Sequence, residues 1–319
     1  MTPRNCTTID VERITSFSDP QVTAISVLFI ATSCLGVTLN LFTILAVVFG
    51  CHSSNKIKIF LINLSIVNFL FAALYPPYMR SYFLHLHFFS LEKQCIPFYF
   101  FTSSIMHACL WCRVVISIER TALIYFPFQA QRYNNYHKFL LIGIIWILSI
   151  IPEIPQSVHM NVLSKDGLIY CEPSFDMWTY CVLQTIKYFF PVSVVVISTL
   201  LMLLKLCSRK RDSIHHHSSK EDQRRMNKLL VMLSVDAFIT IFTWLPCKVS
   251  HLYGALNGGG DVSEAKVDQD VILESVSMVN AFSTPIVYFI FNKNFRMDIR
   301  LLYMRLTCRL SKSSRGLNS

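Results

Sequence analysis

Residues 22–49 read VTAISVLFIATSCLGVTLNLFTILAVVF and contain no Asp, Glu, Lys or Arg. A helix rises about 1.5 Å per residue, so about 20 such residues cross the roughly 30 Å of hydrocarbon in a bilayer. The stretch exceeds that length and is apolar on every side, which makes lipid its natural solvent. Residues 57–84, 96–125, 139–158, 178–207, 228–254 and 271–291 read the same way, giving seven apolar blocks. The composition agrees, because a chain of 319 residues that is 53% hydrophobic and 15% charged is too apolar for an ordinary soluble globule. The expected fold class is an all-α membrane protein, a seven-transmembrane helix bundle.

A net charge of +10 would point to nucleic acid in a soluble protein, but here the basic residues occupy alternate loops. One side carries Lys56, Arg132, Lys138, the run from Arg209 to Lys228, and the segment from Lys293 to Arg315. The other is acidic, with Asp10, Glu12, Asp19, Glu92, Asp166, Glu172, Asp176, Asp261 and Glu264. The positive-inside rule makes the first side cytoplasmic and the N-terminus extracellular, and it removes nucleic acid as a partner. Residues 1–21 are thus expected outside, 22–291 in the membrane as a single domain, and 292–319 in the cytoplasm. Residues 1–20 show no apolar signal segment, so the first span is expected to direct its own insertion.

Asn5-Cys6-Thr7 is a glycosylation sequon on the outer side, with Asn5 as acceptor, whereas Asn63-Leu64-Ser65 falls within a span and is silent. Lys165-Asp166-Gly167 between alternating segments predicts a β-hairpin in the loop from residue 160 to 177. Of the 11 cysteines, most lie in spans, where they act as small hydrophobes. Cys95, at the outer start of the third span, and Cys171, in the hairpin, both face an oxidising compartment, so a disulfide joining them is expected. Cys6 is left free or paired with Cys181. His215-His216-His217 reads as a solvated loop without thiolate or carboxylate support; no metal and no cofactor is expected.

Seven helices alone would also fit a transporter, although no internal repeat of broken helices is visible. Residues at fixed places in particular helices narrow the choice. They are Asn40; Asn63-Leu64-Ser65-Ile66-Val67-Asn68; Cys95 followed by Glu119-Arg120-Thr121; Trp146; Pro191; Trp244-Leu245-Pro246-Cys247; Thr284-Pro285-Ile286-Val287-Tyr288; and Asn292 with Phe295-Arg296. In order and spacing this set resembles the rhodopsin-like (class A) G protein-coupled receptor family along nearly the whole chain. The resemblance implies a cell-surface receptor, not an enzyme, with an extracellular ligand, a heterotrimeric G protein and arrestin as partners. It also implies a short amphipathic eighth helix, and a role for Arg120, held by Glu119, in meeting the G protein. Pro191, Pro246 and Pro285 interrupt backbone hydrogen bonding and supply hinges.

The departures from the family pattern carry expectations of their own. Asn68 replaces an acidic residue, Cys109 a serine and Thr284 an asparagine, so no allosteric sodium site is expected. Thr199 stands where the fifth span usually has tyrosine. Thr102 occupies the place of the amine receptors' aspartate and Met278 that of the retinal-linking lysine, which argues against a monoamine receptor and a conventional opsin. Ionisable residues in the outer halves of the spans mark a functional pathway. Arg80, Tyr99, Thr102, Met106, Gln184, Lys187, Tyr188, Lys248, His251, Glu274 and Met278 are the candidate ligand-binding residues. A pocket with both signs of charge under a hairpin lid favours a peptide. An anionic lipid or small carboxylate on the two lysines is the alternative, and a non-signalling scavenger the third reading.

Two charges lie deeper. Arg113 is two helical turns before Arg120, about 10 Å further into the bilayer, and Asp236 lies ten residues before Pro246. Isolated charges there cost several kcal/mol, roughly, so the two are expected to meet and to lock the third span against the sixth. The competing arrangement has Arg113 bonded to Asn68 or water with Asp236 protonated. Asn68, Arg113, Glu119, Arg120, Asp236, Trp244, Pro246, Thr284, Pro285 and Tyr288 form the expected activation switch. Beyond Asn292, apolar Phe295, Ile299, Leu302, Tyr303 and Leu306 alternate with basic residues, predicting an interfacial helix that ends at Cys308, a candidate for palmitoylation.

Overall fold

The structure is a computed structural model, which describes residues 18–50, 55–84, 92–126, 134–165, 168–173, 176–212, 220–256 and 264–316. Its helices are α1 (Asp19–Phe49), α2 (Asn55–Leu84), α3 (Glu92–Tyr125), α4 (Asn135–Ile150) and α5 (Glu153–Val158). After the hairpin β1 (Met160–Lys165) and β2 (Leu168–Pro173) come α6 (Met177–Gln184), α7 (Phe190–Asp212), α8 (Lys220–Leu256), α9 (Glu264–Ser277), α10 (Asn280–Phe291) and α11 (Lys293–Gly316). Among the described residues, seven stretches are long and apolar enough to cross a membrane: Pro20–Phe49, Lys58–Pro77, Ile96–Tyr125, Asn135–Val158, Trp178–Lys205, Leu230–Gly254 and Asp268–Phe291. The fourth span joins α4 to α5, the fifth α6 to α7, and the seventh α9 to α10.

Large apolar side chains such as Leu28, Phe42, Phe139, Leu204 and Phe242 point away from the protein, as helices solvated by hydrocarbon require. The third span is the central one and touches the second, fourth and fifth. Its Ala108, Cys109 and Leu110 have no exposed surface. The first span packs on the second through Gly36, where an added Cβ would lie 2.5 Å from the Ala72 Cβ. Only hydrogen fits there.

Helix ends follow local chemistry. The Ser18 N–H donates to the Gln21 Oε1 at 2.8 Å ahead of Pro20 in the first turn of α1. The Asn134 side chain accepts the His137 N–H and starts α4 four residues before the apolar block at 139. Polar residues 220–227, read as loop, continue the sixth helix beyond the bilayer length.

The internal prolines are accommodated in different ways. The fifth span widens into a π turn, Thr185–Phe189, just before Pro191, and the Phe190 N–H reaches back to the Thr185 carbonyl. In the seventh span, Pro285 removes the donor that would satisfy the Ala281 carbonyl. Asn40 of the first span supplies it instead, with Nδ2 donating to that oxygen at 2.7 Å and to the Gly36 carbonyl at 2.8 Å. A turn at Met278 and Val279 separates α9 from α10, and the Ala281 N–H bonds the Met278 carbonyl at 2.9 Å. In the hairpin Val162 pairs with Cys171 and Lys165 with Leu168. The helix α11 lies against the first and seventh spans and buries Phe295 and Leu302.

Candidate functional site

Two charged clusters fill the half of the bundle nearest the hairpin, and each contains one of the lysines singled out above. Lys187 is 3% exposed and its Nζ lies 2.8 Å from Oε1 of Glu153, a carboxylate with no exposed surface at the start of α5. His107 of the third span brings Nδ1 to 2.5 Å from the same oxygen. Lys187 also donates to Gln156 Oε1, and Gln156 Nε2 donates to the Tyr99 hydroxyl at 2.5 Å. This cluster ties the third, fourth and fifth spans. The second cluster ties the second, sixth and seventh. Lys248 Nζ is 3.2 Å from Glu274 Oε1, while Tyr75 and Ser277 donate their hydroxyls to Oε2 at 2.8 and 3.0 Å.

Tyr188 bridges the two clusters. Its ring sits edge-on to His107, with centroids 4.8 Å apart, and Lys248 Nζ lies 5.0 Å from the ring centroid. That spacing is within cation–π reach. Thr102, Met106 and Met278 are buried beside this network, and Tyr99, Gln184 and His251 are partly exposed at its rim. Thr102 bonds its own helix, through the Phe98 and Tyr99 carbonyls. The side chain of Arg80 lies outside the described residues, as do those of Cys95, Cys171 and Cys308, and the segments holding Asn5 and His215–His217. Cys181 is a free thiol.

The two lysines are therefore not unopposed cations lining a cavity. Each is compensated by a buried carboxylate, because an ammonium group left alone in this medium is far more costly than a pair. Glu153, His107, Gln156 and Tyr75 belong to the site and are absent from the sequence-based set. Charge bookkeeping could have found Glu153, the one acidic residue within the fourth apolar block.

A third cluster lies deeper, toward α11. Arg113 Nε is 3.6 Å from Asp236 Oδ2, joining the third span to the sixth. The pair also engages the seventh span: Thr284 donates its hydroxyl to Asp236 Oδ1 at 3.0 Å, and an Arg113 amino group lies 3.4 Å from that hydroxyl and 3.5 Å from the Asn280 carbonyl. No Arg113–Asn68 bond occurs; both polar atoms of the buried Asn68 side chain lack a hydrogen-bond partner among the described residues. Above the pair, Trp244 Nε1 donates to the Ser277 carbonyl at 3.2 Å, and Asn280 donates to Thr243. Below it, Arg120 is buried with an amino group 3.6 Å from Glu119 Oε2, and the buried Tyr288 ring meets Phe295 edge-on. Thr284 and Pro285 are buried whereas Pro246 faces outward. Polar links thus run from Glu274 through Ser277 and Asn280 to Arg113, which in turn reaches Thr284, along one face of the seventh span.

The sequence model of the family described as 7 transmembrane receptor (rhodopsin family) matches residues 39–288, which include all three clusters. The chain belongs to that family. It is a class A G protein-coupled receptor, a multi-pass protein of the plasma membrane rather than an enzyme. The receptor is 22% identical to galanin receptor 2b of Danio rerio over 314 residues, covering 93% of this chain and 79% of that protein. It is 23% identical to the neuromedin-K receptor of Cavia porcellus over 76% of this chain and 56% of that one. The type-2 angiotensin II receptor of Meriones unguiculatus is 21% identical over 95% of this chain and 88% of its own length.

Proposed function

We propose that this receptor binds an extracellular peptide at the hairpin-side clusters and responds by activating a heterotrimeric G protein. The observation that carries the reading is the pairing Lys187–Glu153 and Lys248–Glu274, two buried salt bridges joined by one tyrosine ring. A ligand offering both an amine and a carboxylate can exchange partners with either pair without leaving a charge uncompensated, which is the chemistry of a peptide with charged groups. An anion alone would have to displace a carboxylate from its lysine and strand it, so the compensation disfavours the anionic-lipid reading. The relatives support a peptide, since their names give galanin, neuromedin K and angiotensin II.

Signalling is supported at the opposite end of the bundle. Arg120 and Glu119 lie together at the end of the third span, and Thr121 and Tyr125 bond fifth-span carbonyls at 3.4 and 3.0 Å. The Arg113–Asp236–Thr284 cluster couples the two ends: it holds the sixth span against the third and seventh at rest and opens when ligand moves Glu274. The test is a screen of charged peptide pools for stimulated nucleotide exchange, repeated on Lys248→Met and Glu274→Gln. Peptide-stimulated exchange in the wild type, with potency lowered about tenfold or more in both variants, is expected for a lost charged contact. Activation by lipid anions and not by peptides would overturn the ligand class.

A further inference from the structure

Glu274 has a second set of neighbours that the ligand reading leaves unused. Cys247 and His251 are four residues apart on α8, and Asp270 and Glu274 four apart on α9, so each pair shares one helix face. The faces meet around His251. Its Nε2 lies 3.9 Å from Cys247 Sγ, 3.8 Å from Asp270 Oδ1 and 3.9 Å from Glu274 Oε1. The ligand atoms of Cys247, His251 and Glu274 all fall within 4.8 Å of one another. We propose that Cys247, His251, Asp270 and Glu274 form a zinc(II) site that clasps the hairpin-side ends of the sixth and seventh spans.

Tetrahedral zinc, with bonds of about 2.0–2.3 Å, sets its ligand atoms roughly 3.3–3.6 Å apart. The separations from His251 exceed this by a few tenths of an ångström, and that between the Cys247 and Glu274 donors, 4.8 Å or less, closes the rest of the way through side-chain torsions. The donor set selects the metal. One thiolate, one imidazole and two carboxylates suit zinc, whereas magnesium and calcium require oxygen throughout. Cys247 is a free thiol and available as a ligand, with its proton passing to solvent on binding. The His251 side chain is 30% exposed, so the cluster has an entry from the hairpin side.

The outer shell is already in place. Tyr75 and Ser277 occupy Glu274 Oε2 and leave Oε1 toward His251, while Ser250 donates to Asp270 Oδ1 at 3.0 Å. Lys248 Nζ, 3.2 Å from Oε1, is the resident cation that zinc must displace, and the Tyr188 ring remains to receive it. The sequence reading expected no metal, because the two pairs lie on separate helices and only their packing brings them together.

The site shares Glu274 and Lys248 with the proposed ligand pocket, but it is tested by metal binding alone, which needs no ligand and no G protein. Purified receptor in nanodiscs is titrated with zinc against a chromophoric chelator, and with cobalt(II) as a spectroscopic substitute. One equivalent should bind, with a near-ultraviolet thiolate-to-cobalt charge-transfer band that is absent in Cys247→Ser. His251→Gln should weaken zinc at least about tenfold, the range seen for disrupted zinc shells. Lys248→Met should bind zinc more tightly than the wild type, an increase that damage to the fold would not produce. A wild-type cobalt spectrum without sulfur character would assign the metal to other residues, such as the His215–His217 run, and overturn the proposal. So would a Lys248→Met receptor that binds zinc no more tightly than the wild type.

Discussion

Replacing Asp236 with Asn removes one charge and preserves the shape and the oxygen that accepts from Thr284. Arg113 then keeps only long contacts, 3.3 Å to the Cys109 carbonyl, 3.5 Å to that of Asn280 and 3.4 Å to the Thr284 hydroxyl. At the observed 3.6 Å, with an effective dielectric constant of 20, the lost attraction is about 4–5 kcal/mol before solvation is repaid. If about 1.4 kcal/mol of it distinguishes the closed from the open arrangement, the open population rises about tenfold. Basal nucleotide exchange by Asp236→Asn, at matched surface expression, should therefore exceed wild type about tenfold. Arg113→Gln should act in the same direction. The exchange of charges, Arg113→Asp with Asp236→Arg, should recover part of what each reversal alone loses. Unchanged basal exchange in Asp236→Asn, or strictly additive damage in the exchanged pair, would show that the pair is not the lock.

Three further expectations concern folding. Glu153→Gln leaves Lys187 and His107 without their carboxylate and should destabilise the solubilised receptor by about 3–5 kcal/mol, read as a lower melting temperature; adding Lys187→Met should restore much of it. Gly36→Val forces a methyl into Ala72 and should cost about 1–3 kcal/mol, whereas Gly143→Ala, with open space around it, should leave the melting temperature unchanged or raise it. Asn40→Leu strands the Ala281 carbonyl that Pro285 has freed and should cost about 1–3 kcal/mol, with reduced surface expression as the readout.

The seven spans were legible because hydrocarbon leaves the chain few options: residues 22–49 have no charge to place elsewhere, and the hairpin announces itself by alternation around Lys165. The meeting of Arg113 and Asp236 was legible for the complementary reason, since two opposite charges at one depth have few places to go. What the sequence concealed is which helix faces which. Lys187 and Lys248 read with Glu274 as the lining of one mixed-charge pocket, and their pairing stayed hidden because the partners lie on other spans, Glu153 just past Pro152 and Glu274 across the sixth-to-seventh interface. Thr284 read as a departure from the family's asparagine, and in the structure its hydroxyl links Asp236 and Arg113 and brings the seventh span into the cluster.

Guanine nucleotide exchange on purified heterotrimers, driven by the receptor reconstituted in nanodiscs, tests the signalling account most directly. Wild type with an activating peptide pool, and Asp236→Asn without any ligand, should both accelerate exchange on at least one class of Gα, and adding Arg120→Ala should abolish both effects. Failure of both preparations to accelerate exchange on every class of Gα, with the receptor folded and monodisperse, would contradict it and mark the chain as a binder that does not signal.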